Sequence, residues 1–144
     1  MTDLTERLMS LIAILAVCGV MVSSVSLQHH YATSKTAYCD IAETFNCDIV
    51  NRSEYSSIFG IPVALIGMLG YAALAGLATV YRERRETPAV LFSAAGMGLA
   101  FALYLTYIEA RVLGVWCLLC LSSLALIATT TVLAAVIWWR GNSQ

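Results

Sequence analysis

Two pairs of cysteines carry the chemistry in this chain. "YCDIAETFNC" sets Cys39 and Cys47 apart by seven residues, and "WCLLC" sets Cys117 and Cys120 apart by two leucines. Thiols at such spacings either exchange disulfides or hold a metal such as zinc. On a helix, positions three apart share nearly one face, so Cys117 and Cys120 close a disulfide or present both sulfurs in one direction. A helix N-terminus carries about half a positive charge, which stabilises a nearby thiolate for exchange. The wider pair closes a disulfide without strain, and on the water side such a disulfide is open to the thiolate of another protein.

The elements that must position these thiols are membrane helices. Of 144 residues, 60% are hydrophobic and 12% charged, and mean hydropathy is +0.79, whereas globular chains carry roughly 25% charge. A formal net charge of -1, with "RERR" at 82–85 as the one basic cluster, leaves no basic field for nucleic acid. A transmembrane helix needs about 20 apolar residues, and four stretches suit that length: Leu8 to Leu27, Ile58 to Tyr81, Ala89 to Ala110 and Cys117 to Trp139. The expectation is an all-α membrane protein, a single domain over residues 1–144, built as a four-transmembrane-helix bundle. One polar loop, 28–57, caps it, and "RERRETP" and "RVLGVW" make the short connections. The first segment is read as a retained helix, because its apolar run exceeds a signal-peptide core and "VSSVSL" is a poor cleavage site.

Orientation follows from the placement of positive charge. Arg7, Arg82, Arg84, Arg85 and Arg140 fall on one side of a four-span chain, and Lys35, Arg52 and Arg111 on the other. Both termini are therefore expected in the cytoplasm, with the long loop extracytoplasmic. This topology gathers Cys39, Cys47, Cys117 and Cys120 on the oxidising side, where disulfides persist. Thiol exchange would carry electrons from a partner to the loop pair, then to the CxxC, then to an acceptor in apolar surroundings. A neutral lipid-soluble quinone suits that last place, because a charged cofactor is costly to bury.

The ordered set of Cys39 and Cys47, Ser53, "SSIFGIP" at 56–62 and "WCLLC" at 116–120 resembles the vitamin K epoxide reductase family, especially its small standalone bacterial members. The other four-helix quinone-linked thiol oxidase family places its CxxC in the first outer loop, the reverse order. The resemblance implies that Cys39 faces a separate thioredoxin-like (DsbA-like) partner and that Cys47 forms a transient disulfide with Cys117. Cys120 would lie next to the quinone, which could be ubiquinone, menaquinone or another vitamin K-type quinone, and no metal is implied. Phe59 would stack near the ring and Ser53 would hold the loop over the site. Ser56 stands where the vertebrate enzymes have an asparagine on the quinone carbonyl, and Leu124 where they have a tyrosine; with Ser57 and Trp116 these complete the expected quinone-binding set. The implied activity is thiol:quinone oxidoreduction in support of disulfide formation. Reduction of vitamin K epoxide or a naphthoquinone is the competing activity, and a non-catalytic metal-binding subunit the competing class.

Outside the cysteines, Glu109 is a candidate for proton transfer, since an ionisable group at membrane depth points to function. Cys18 is read as a packing residue, and His29 and His30 as polar residues at the membrane edge. Tyr104 and Tyr107 suit an aromatic belt. Gly67, Gly70, Gly96 and Gly98 are expected to permit close helix contact, and Pro62 and Pro88 to sit in opening turns of helices.

Overall fold

The computed structural model describes residues 3–31 and 54–143, apart from the side chains of His29 and Tyr55. Cys39, Cys47 and Ser53, and with them most of the expected capping loop, lie outside the described residues. The first helix, α1 (Asp3–Tyr31), is followed after the undescribed stretch by a 3-10 turn, Glu54–Ser56, and by two short antiparallel strands, β1 (Ser57–Ile58) and β2 (Ile61–Pro62). Next come α2 (Val63–Thr79), α3 (Thr87–Ile108), a π-helical turn at Glu109–Leu113, and α4 (Leu118–Asn142).

Among the described residues, three stretches, Asp3–Gln28, Thr87–Leu113 and Leu118–Asn142, are long and apolar enough to cross a membrane. Helix α2 is apolar but has 17 residues, a length of about 26 Å at 1.5 Å per residue, against about 30 Å of bilayer hydrocarbon. It begins at Val63 rather than at Ile58, because Phe59 and Gly60 take φ values of 52° and 80°. Positive φ at both central residues makes a two-residue hairpin turn and cannot continue a helix. Pro62 consequently stands outside α2 as its extended N-cap, where a missing N–H costs nothing, while Pro88 lies within the first turn of α3.

The four helices form an antiparallel ring. Helix α1 packs on α2 and α4, α3 packs on α4 and α2, and α1 faces α3 across the diagonal. The half nearest the 79–87 connection is dry: Met9, Ile12 and Ala16 meet Leu74, Ala78, Leu91, Ala95, Ala134 and Ile137. Phe92 stacks on Trp138 with ring centroids 5.4 Å apart, and Arg82 donates back to Glu6 O and Ser10 Oγ, each at 3.2 Å.

Small residues set the closest approaches. A Cβ on Gly19 would fall 2.3 Å from the Tyr71 ring, one on Gly67 would meet Ser23 Oγ at 3.1 Å, and one on Gly98 would meet Ile127 at 3.3 Å. Among the described residues, nothing lies within 4 Å of such a Cβ on Gly70 or Gly96, so neither glycine mediates packing between these helices. Cys18 is exposed on the outer face of α1: Ala16 and Gly19 take the inward positions, and at about 100° per residue the two positions between them point away.

Candidate active site

The site is built where α3 ends and α4 begins. The π-helical turn closes with Gly114 in the left-handed region at φ 67°, its N–H donating to Glu109 O at 2.9 Å. A π turn inserts an extra residue and changes the face that follows. Ile108 and Glu109 are consecutively buried, at 5% and 2% exposure. Chain direction then reverses through Val115 and Trp116 to Cys117, the extended N-cap of α4. Cys117 Sγ accepts from Cys120 N–H at 3.4 Å, as a side-chain cap does.

Glu109 joins the two helix ends. Its Oε2 accepts the Cys117 N–H at 3.2 Å, and the Cys120 thiol lies beside both the Cys117 sulfur and the Glu109 carboxyl. Its Oε1 is buried without a hydrogen-bond partner among the described residues. That is unusual, because buried polar atoms are nearly always paired.

These groups border a cavity of about 100 Å³ at the same end of the bundle, several times the space one water needs. Helix α1 contributes Val22, Ser23, Ser26 and His30, and α3 faces them with Ala102, Leu105, Thr106, Ile108 and Glu109. Ser56, Val63 and Ala64 close one side, and Leu113, Leu119, Cys120 and Ser123 the other. His30 Nδ1 and Ser56 Oγ are 3.3 Å apart. Behind the Ser123 wall stands Tyr71 of α2, which does not itself line the cavity; its O–H donates to Ser123 O at 2.8 Å and lies 2.9 Å from Ser123 Oγ. Gly19 leaves the room for that ring.

Of the residues expected from sequence, Cys120, Glu109 and Ser56 line the cavity, and Cys117 is fully buried directly behind Cys120. Ser57, Phe59, Trp116 and Leu124 do not line it. The hairpin carries Phe59 outward to its tip, fully exposed. Leu124 follows Ser123 by one position, and a turn of about 100° takes it off the cavity face. His30, which the sequence suggested only as edge polarity, is part of the wall. Gly19, Ser23, Ser26 and His30 recur at spacings of four, three and four along α1, a small and polar stripe on one face. That stripe was the available signal for them; nothing local in the sequence marks Tyr71 or Ser123.

Chemically, the arrangement offers a sulfur, a carboxyl oxygen and two hydroxyl-bearing edges around an otherwise apolar space. A flat neutral ring with polar oxygens fits such walls: the apolar residues accept its faces, and Ser56, His30 and Glu109 can meet its oxygens. The vitamin K epoxide reductase family model matches residues 10–135, a range that includes the CxxC, Glu109 and the cavity walls. That family's activities are quinone-linked thiol oxidation and vitamin K epoxide reduction in membranes, generally with a thioredoxin-like partner. With its apolar spans and this match over most of its length, the chain belongs to the vitamin K epoxide reductase family of integral membrane oxidoreductases.

Proposed function

We propose that this protein oxidises a separate thioredoxin-like protein on the extracytoplasmic side and reduces a quinone to quinol, supplying oxidising equivalents for disulfide formation. The observation that carries the reading is the placing of Cys120 on the wall of an apolar cavity with Cys117 buried behind it at a helix N-cap. A bound quinone supplies the sink for two electrons and two protons. Cys120 presents its sulfur to the cavity, and Ser56 with His30 provides a polar edge that orients a carbonyl. Cys117 receives electrons by exchange with Cys47, and Cys39 meets the partner, under a loop held by Ser53. Within this reading the chain is one domain, all four helices cross the bacterial inner membrane, α2 does so where the hairpin adds length, and both termini are cytoplasmic.

The test mixes purified protein with a reduced thioredoxin-like substrate and ubiquinone or menaquinone and follows quinone loss spectroscopically. Native protein should turn over, and Cys120→Ala should not. Full activity in that variant, or stoichiometric zinc without turnover in the native protein, overturns the proposal. Vitamin K epoxide offered as acceptor in the same assay tests the competing activity.

A further inference from the structure

Glu109 is the most expensive residue in the site. It is 2% exposed, it lies within an apolar span, and an ionisable group at that depth is costly to keep unless it works. Its two oxygens are divided: Oε2 holds the Cys117 N–H at 3.2 Å, and Oε1 has no hydrogen-bond partner among the described residues. The carboxyl borders the cavity together with Cys120, whose thiol lies beside it. A residue needed only to brace Cys117 would require one acceptor, which an uncharged amide supplies equally well. A second oxygen left unpaired beside a thiol is an arrangement suited to moving a proton.

We propose that Glu109 is the proton carrier of this site: its carboxylate takes the proton of the Cys120 thiol and delivers it to an oxygen of the acceptor in the cavity. This rests on the reading of the cavity as a quinone site. Oxidation of the Cys117 and Cys120 dithiol breaks two S–H bonds and forms one S–S bond, releasing two electrons and two protons. Conversion of quinone to quinol takes up both electrons and one proton on each oxygen. Glu109 gains one proton from sulfur and loses it to oxygen, ending as it began. The second thiol proton leaves to water and the second oxygen takes one from water, so the balance closes.

Among the described residues, the titratable groups facing this carboxyl are Cys117 and Cys120 at the start of α4 and His30 of α1 across the cavity. The hairpin and the start of α2 offer the Ser56 hydroxyl with Val63 and Ala64. On its own turn Arg111 is exposed, and the Tyr71 phenol is engaged with Ser123.

The experiment uses the full chain with Glu109→Gln and Glu109→Asp. Glutamine retains an acceptor for Cys117 N–H but transfers no proton. Its kcat should fall by about 100-fold with the quinone KM changed by no more than about threefold, and the pH dependence that the carboxyl imposes on kcat should vanish. Aspartate should retain intermediate activity with a pH dependence, which decides the matter should the glutamine variant fail to fold. A readout without quinone is the infrared difference spectrum between dithiothreitol-reduced and chemically oxidised protein. A carboxyl band should change with CxxC oxidation in the native chain and be missing in Glu109→Gln. Native kcat and pH profile in Glu109→Gln, or no carboxyl change in the native spectrum, overturns the inference. A native protein that shows the carboxyl change but reduces no quinone overturns the quinone reading instead and leaves the thiol-to-carboxyl transfer standing.

Discussion

The two halves of this bundle use the same four helices for opposite ends. Toward the 79–87 connection, Met9, Ile12, Leu91 and Ala134 are completely buried in a dry apolar core. Toward the CxxC, the same helices carry Ser23, Ser26, His30, Glu109 and Ser123 around a cavity. In a membrane, helices gain little from hiding apolar surface, since lipid is equally apolar, and close packing must hold them together. The packed half therefore holds the cavity open in the other half. Between them, Gly19, Tyr71 and Ser123 form a boundary that ties α1, α2 and α4 together. Redox chemistry should respond to changes on one side of that boundary, and stability to changes on the other.

The largest effect expected is on the cavity side. Cys120→Ala should eliminate quinone reduction while leaving unfolding in denaturant nearly unchanged, because it shortens one side chain already bordering empty space; coupled loss of stability would show that the two halves are not separable. On the packed side, Leu91→Ala should cost about 2–5 kcal/mol in reversible unfolding from mixed micelles, with turnover per folded molecule preserved.

At the boundary both properties should move together. Gly19→Ala places a methyl group against the Tyr71 ring and should destabilise by about 1–3 kcal/mol, and it should raise the quinone KM as the displaced ring shifts the Ser123 wall it is bonded to. Tyr71→Phe removes one hydroxyl shared by two Ser123 atoms, for a loss of about 1 kcal/mol and a smaller KM change; an unchanged KM in both variants would show that Tyr71 does not position the Ser123 wall. The smallest effect belongs to Cys18→Ser on the outward face of α1, expected within about 0.5 kcal/mol and with native turnover.

Much of this was readable in the chain, for reasons that differ by element. Helices α1, α3 and α4 announce themselves because a bilayer demands some 20 apolar residues in a row, a constraint local to each segment. The start of α2 is not legible, because "SIFGIP" is as apolar as a helix opening, and only the positive φ of Phe59 and Gly60 reveals the hairpin. The hairpin also puts Phe59 at an exposed tip rather than in a helix opening. Glu109 stood out by its charge at membrane depth, yet its grip on Cys117 N–H depends on the π turn and on Gly114, which no periodicity shows. His30 was undervalued because a histidine at a helix end is ordinary, and the stripe it completes acquires meaning only when α3 faces it across the diagonal.

By itself, the sequence determined the environment, the family and the thiol pairs: hydropathy is a sum over residues, and CxxC spacing is covalent, so neither depends on which helix meets which. Tertiary structure alone decided which polar groups share a cavity. Ser56, His30, Glu109, and Cys120 with Ser123 come from four separate stretches, and their meeting rests on the ring order of the helices, the room left by Gly19 for Tyr71, and a turn that rotates one carboxyl inward. Those are relations between distant residues, fixed by packing.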